Sequence, residues 1–333
     1  MKNCLHRPLP DGHGSASGAV ARVFQQALKM IMMACVAVSC LVAALQAPTP
    51  GSSTLDQRIK AKIQGFPGKV SVYAKNLESG ASYGIAAEEP TRTASTIKLA
   101  IMVECFAEAA EGKLKWTEPI KITEDEKVSG SGVVQDLSAG DQLPIRDMVD
   151  LMIVVSDNTA TNLILNRIGG NAVNARMAQL GMQQIRVMRK ILGDGKNLKP
   201  YPSGITDEGA KAENKKWGIG RSSPREMAAI LEKLYRGELV SKAASEEMLE
   251  ILKKQRDHDG IGRDMKDVTI ASKSGALDHL RSDVGIVYSK RGPIAMAITV
   301  EDIPEIDYSP DNPGSLLISG LSEILVEDLG SKP

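Results

Sequence analysis

Four cysteines, four histidines and two tryptophans are all that this chain of 333 residues holds of the side chains that most often mark redox, metal or stacking chemistry. Cys4, Cys35 and Cys40 precede position 48, and Cys105 falls in what reads as a buried helix. A disulfide framework is thereby excluded, so core burial must hold the fold. Only His258 and His279 lie beyond the N-terminal stretch, neither with metal-ligand spacing nor on a nucleophile elbow. Asp257-His258-Asp259 reads as a polar loop, and no metal or cofactor is expected. Trp116 and Trp217 are too isolated to form a stacking platform, and 41 basic residues balance 41 acidic ones, so nothing points to nucleic acid.

What is present begins with a leader. After Arg22 and Lys29, the stretch Met30 to Leu45 is apolar or small apart from Ser39, too short for a confident membrane span. Ala44-Leu45-Gln46-Ala47 before Pro48 resembles a cleavage site, so residues 1–47 are expected to be a signal peptide and the mature protein periplasmic or secreted, off the membrane. An uncleaved anchor is the alternative, because Leu45 stands where a small residue is usual. The leader holds four of the basic and one of the acidic residues, which leaves 37 against 40. The remainder is long enough for one large domain, residues 48–331, expected to be monomeric.

Along that remainder the hydrophobic period changes twice. Residues 54–63 have helical spacing, and 69–76 alternates and turns at Glu78-Ser79-Gly80 into a second short strand from Ala81. From Ser95 to Leu252 the pattern is helical, including 97–110, 145–168, 172–180 and 224–235, the last with Pro224 in its first turn behind Ser222 and Ser223. Residues 268–273, 284–289 and 293–300 read as strands, with Lys290-Arg291-Gly292 turning the last two, and 315–328 closes as a helix. The prediction is an α+β fold: a five-stranded antiparallel sheet assembled from residues 52–91 and 253–330, flanked by helices, plus a helical part at 92–252, with a functional site at the seam.

Three short motifs lie along that seam: Ser95-Thr96-Ile97-Lys98, Ser156-Asp157-Asn158 and Lys273-Ser274-Gly275. If a helix starts at Ser95, Lys98 lies one turn on along the same face, and the helix start offers free N–H groups to an alkoxide or oxyanion. Burial beside a second cation such as Lys273 would lower the Lys98 pKa far enough for it to act as a base. Ser156 follows a buried helix and can pass a proton to a leaving nitrogen, the Asn158 amide can donate to a substrate carbonyl, and Asp157 is expected to pin the backbone. Gly275 allows a substrate backbone close to the strand, and the Ala276 N–H would complete an oxyanion hole with that of Ser95. Gly130-Ser131-Gly132-Val133 is expected to form the opposite rim. Each motif alone is common, S-x-x-K arising roughly once by chance in a chain this long. Their joint order is not common, and it describes acyl transfer without histidine.

Over residues 52–330 the chain resembles class A serine β-lactamases and the wider group of penicillin-recognising acyl-serine enzymes. That resemblance implies the β-lactamase/transpeptidase-like fold, Ser95 as nucleophile, Lys98 as activator, Ser156 as proton shuttle, Asn158 as substrate ligand and Lys273 as the electrostatic lysine. Ser274 stands for the usual threonine, and Arg281 is placed to hold a substrate carboxylate. The implied substrate is a β-lactam or a cell-wall peptide. One part of the family pattern is missing: no E-x-x-L-N stands after the second motif, where this chain has Met188-Arg189-Lys190-Ile191-Leu192-Gly193-Asp194. A water-activating carboxylate would have to be Asp194, the leading candidate, or Asp207, Glu208 or Glu213. Without one, a D,D-peptidase or penicillin-binding enzyme with slow deacylation is the alternative, and a non-catalytic binding module a third.

Overall fold

The computed structural model describes residues 54–193 and 204–330. The expected leader, its three cysteines and Asp194 lie outside the described residues. Five strands form one antiparallel sheet: β1 (Lys69–Asn76), β2 (Ser82–Ile85), β3 (Thr269–Leu277), β4 (Leu280–Ser289) and β5 (Gly292–Glu301), in the order β2-β1-β5-β4-β3. The register explains why the sheet's centre reads as a continuous apolar run. In β5, Ile294, Met296, Ile298 and Val300 face one core cluster, while Ala295 and Ala297 face the other. Both faces are covered, so alternation in polarity is lost.

On the first face lie α1 (Leu55–Ile63), started by a capping box between Thr54 and Gln57, and the closing helix Pro313–Leu329, whose Leu317, Ile318, Leu321 and Leu325 complete the cluster. On the second face is the helical part, centred on α2 (Lys98–Ala110), in which every residue from Lys98 to Glu108 is buried. Around it stand α3 (Ile145–Val154), α4 (Asn158–Ile168), α5 (Gly170–Gln179), α6 (Pro224–Tyr235) and α7 (Lys242–Leu252). The closing helix is α8. Among the described residues no helix is long and apolar enough to cross a membrane.

Two local findings depart from the sequence-based expectation. The helix predicted over 145–168 is broken: Ser156 takes a left-handed φ of 55° and Asp157 starts a new helix by accepting from the Ala160 N–H at 2.8 Å. The helical part also carries short strands. Thr91–Arg92, Gly220–Ser222 and Arg186–Val187 make a three-stranded patch, and Pro119–Lys121 pairs with Gln142–Pro144. The patch ties the segment after α5 to the entrance of α2, since the Thr93 N–H donates to the Gly220 carbonyl at 3.1 Å.

Candidate active site

Ser95 does not open an α-helix, as its spacing with Lys98 suggests. It sits half-buried in a 3₁₀ turn, Ala94–Ile97, and Lys98 is the first α-helical residue behind it. Ala94 enters that turn at a φ of 45°, a left-handed conformation that costs a residue with a Cβ about 1–2 kcal/mol. Strain of this kind at both Ala94 and Ser156 fits groups held in place by the surrounding structure.

Lys98 is wholly buried, an expensive place for an ammonium. Its Nζ lies 2.7 Å from the Ser156 carbonyl oxygen, 3.1 Å from the Ser156 hydroxyl and 3.0 Å from Asn158 Oδ1. Burial pushes its pKa well below the ordinary lysine value, the Lys273 cation pushes it further down, and Asp157 pulls partly back. The amine therefore reaches neutrality far more readily than a surface lysine, which a general base requires.

Asp157 does hold the backbone. Its Oδ2 accepts from Val133 N–H at 2.6 Å and Val134 N–H at 2.8 Å, which fixes the 130–133 loop against the start of α4. Asn158 is tied at both ends of its amide, through Oδ1 to Lys98 and through Nδ2 to the Ser129 carbonyl at 3.2 Å. One amide hydrogen is left for a substrate.

The third motif runs along the outer strand β3. Lys273 points to the helical face, is wholly buried, and donates to the Ser274 carbonyl at 2.7 Å. Burial lowers its pKa to about 8, with Asp257 and Asp283 opposing. Gly275 is needed for a close approach: a Cβ there would lie 2.9 Å from the Ser95 backbone nitrogen and 2.9 Å from the Thr93 carbonyl oxygen. The turn Asp278-His279 closes on the pair Leu277–Leu280. Hydrogen-bonded and non-bonded pairs alternate from there, so the Ala276 N–H points away from β4 and outward from the sheet edge.

Ser274 faces the other side of β3, where the structure departs from a simple polar loop at 257–259. The Ser274 hydroxyl donates to Asp257 Oδ2 at 2.7 Å. Asp257, Asp259 and Asp283 line one pocket with Ser274, Ser131 and Arg281. Arg281 is nearly buried, and its NH1 donates to the carbonyls of Leu277 and Leu280, both at 2.6 Å, while NH2 donates to that of Asp307. Only its Nε and one NH2 hydrogen are left over from these contacts. Asp283 accepts from the Ile261 N–H at 2.8 Å through Oδ2, whereas its Oδ1 is buried without a hydrogen-bond partner among the described residues. Burial pushes its carboxyl up to about 7. Neither Asp257 nor Asp283 belongs to a motif, so neither is marked in the sequence, and the register that sets Ser274 opposite Asp283 appears only with the sheet.

In the segment after α5, Asn162, one turn beyond Asn158, clamps a backbone position from both sides. Its Oδ1 accepts from Ile191 N–H and its Nδ2 donates to the Ile191 carbonyl, each at 2.8 Å. The residue held there is apolar. Glu208 is bonded to Lys211 at 2.7 Å and Asn214 at 3.1 Å, while Asp207 and Glu213 are exposed.

The chain and its fold have known relatives. The model of the Beta-lactamase enzyme family matches residues 54–329. Beta-lactamase L2 of Stenotrophomonas maltophilia is 25% identical over 265 residues, 77% of this chain and 80% of that protein. A solved beta-lactamase from Sphaerobacter thermophilus superposes with a TM-score of 0.71 at 26% identity, over 84% of this chain and 98% of its own. A mutant of PBP-A, solved as an acyl-enzyme complex with penicillin G, gives a TM-score of 0.67 at 25% identity, over 82% and 94%.

Proposed function

Because the chain belongs to the Beta-lactamase enzyme family, whose model spans residues 54–329, we propose that it opens the β-lactam ring by acyl transfer to Ser95. The Ser95 hydroxyl attacks the ring carbonyl and gives its proton to the neutral Lys98 amine. The N–H groups of Ser95 and Ala276 take the oxyanion. Lys98 then returns the proton through the Ser156 hydroxyl to the ring nitrogen, the C–N bond breaks, and an ester remains on Ser95 until water cleaves it. The observation that carries this assignment is Lys98 itself, a wholly buried amine bonded to Ser156 and Asn158 one helical turn from the serine. Export through residues 1–47 to the periplasm or the medium is part of the proposal and rests on the apolar stretch at 30–45.

Ile191 favours a second reading for the final step. The backbone position clamped by Asn162 carries no carboxylate that could order and deprotonate water. Deacylation is then slow, as in a penicillin-binding enzyme that stays acylated; PBP-A, whose mutant was captured as a penicillin G acyl-enzyme, has a similar structure. A time course with a chromogenic cephalosporin separates these cases. We expect a burst of about one equivalent followed by a slow steady phase, the pattern of an acyl-enzyme that accumulates. Rapid turnover without a burst would mean that water is activated efficiently after all, and a failure to form any adduct would remove the acyl-transfer assignment.

Lys273 supplies a pH test. Its pKa is lowered to about 8, so the cation is complete well below pH 8 and is lost as pH rises through that value. If its charge assists acylation, kcat/KM falls along an alkaline limb centred near pH 8. Lys273→Arg should push that limb out of range, since a guanidinium does not deprotonate. A limb that stays in place in the variant belongs to another group.

A further inference from the structure

Asparagine recurs at every fourth position of α4, at Asn158, Asn162 and Asn166, so the three amides form a row along one face. Each holds a different group. Asn158 donates to the Ser129 carbonyl, and Asn162, about 6 Å further along the helix axis, bonds both backbone groups of Ile191. Asn166 accepts from the Lys190 ammonium at 2.9 Å. The same ammonium donates to Glu126 Oε2 at 3.1 Å, so Lys190 joins the segment that carries Ile191 to the stretch that leads into Ser129. Its side chain is only 12% exposed, and its stem runs so close over Gly204 that a Cβ there would lie 2.4 to 2.7 Å from Cγ, Cε and Cδ. The backbone around it is held as firmly. Asn174 bonds both groups of Val187, the Thr206 hydroxyl donates to the Met188 carbonyl, and the Lys190 N–H donates to the Gly204 carbonyl at 3.3 Å. An ammonium so nearly buried carries a desolvation cost, which is offset only while Glu126 and Asn166 stay within reach.

To be hydrolysed, an ester on Ser95 needs both a base and a path for water, and the two can be missing separately. Ile191 brings no base. We propose that Lys190 is a positioning residue that, through Glu126 and Asn166, keeps Ile191 against the acyl ester and so denies water its approach. The long life of the acyl-enzyme then has two causes, a carboxylate that is absent and a wall that does not move aside. The proposal rests on the acyl-Ser95 intermediate and its slow deacylation.

Hydroxylamine separates the two causes, because it attacks esters without help from a base. Its nitrogen adds to the acyl carbonyl, the bond to Ser95 Oγ breaks as a proton returns to that oxygen, and a hydroxamic acid leaves. The adduct formed with benzylpenicillin is freed of excess penicillin, exposed to hydroxylamine and followed by intact-protein mass spectrometry. In the wild type we expect it to survive nearly as long with the nucleophile as without. Lys190→Met should raise the hydroxylamine-dependent loss by about 10- to 100-fold, the change in open population that follows from losing a charge-assisted bond. The acylation rate, which reports a folded site, should change far less. Glu126→Gln keeps the volume and an acceptor, so it should give a smaller rise, and it carries the test where Lys190→Met does not fold. The double variant should go no further than Lys190→Met alone, since both changes remove one contact. Additive effects, or a wild-type adduct that hydroxylamine cleaves as fast as that of the variants, would overturn the proposal. An adduct lost to water too quickly to isolate would overturn it as well, whereas a wild type that forms none would remove the acyl-Ser95 reading and the proposal with it.

Discussion

Replacing Lys98 with methionine is expected to slow acylation by about 10² to 10⁴, the loss that accompanies removal of a general base, and Ser95→Ala to abolish the adduct. Methionine fills the same buried volume without the amine, so the comparison separates chemistry from packing. In the native site the amine is surrounded by three oxygen acceptors, the Ser156 carbonyl, the Ser156 hydroxyl and Asn158 Oδ1, at 2.7, 3.1 and 3.0 Å. Two opposing terms follow from its loss. Orphaned acceptors cost about 1–3 kcal/mol each, yet a buried amine whose charged form is strongly disfavoured is itself destabilising. The melting temperature is thus expected to move by a few degrees at most, far less than the rate. The measurement is the rate of adduct formation by mass spectrometry on Lys98→Met and Ser95→Ala, with thermal melts alongside. A Lys98→Met enzyme acylating at the wild-type rate would exclude Lys98 as the base, and a covalent penicillin adduct surviving in Ser95→Ala would place the nucleophile elsewhere.

Gly275→Ala should reduce kcat by about 10² to 10³, the scale of a lost oxyanion-hole donor, with a smaller change in KM. The new methyl carbon would sit 2.9 Å from Ser95 N, 2.9 Å from Thr93 O and 3.1 Å from Ala94 Cβ. Two of those three atoms are main chain, and Ala94 is already held at a φ of 45°, so no flexible side chain can yield. The strand has to retreat, and the Ala276 N–H retreats with it. Overpacking of this sort costs about 1–3 kcal/mol of stability, which leaves a folded enzyme whose kinetics can be read. If kcat holds while stability falls, the distance between β3 and the 94–97 turn has no catalytic weight.

The architecture and the three motifs were legible because each depends on local pattern. Residues 69–76 and 293–300 alternate or run apolar over a strand's length, and S-x-x-K, S-D-N and K-S-G carry their chemistry within three or four positions. What the sequence concealed is set by tertiary contact. The break at Ser156 has no glycine to announce it; it follows from Asp157 binding the N–H groups of Val133 and Val134 more than twenty residues earlier in the chain. The Ser274–Asp257 bond joins a strand to a loop that looked like ordinary solvated charge. Ile191 became informative only once Asn162 was found holding its backbone, because an isoleucine in a loop carries no signal of its own. Arg281 was expected to face a substrate, and its position on β4 does put it in the pocket wall, but the carbonyls at the ends of β3 and β4 compete for the same donors.

The strand order has a consequence for how the molecule comes into being. β1 pairs on one side with its neighbour β2 and on the other with β5, so the second of these ladders waits for residues 292–301. The turn that carries Ser95 and the helix behind it are made early, while Lys273 and Gly275 arrive on a strand synthesised near the end. A partly synthesised chain therefore has Ser95 but no partner for it from β3. Such long-range pairing folds slowly, because loop closure must precede the contacts that reward it. During that interval the site proposed around Ser95 lacks one wall, and it closes only with the last strands of the sheet.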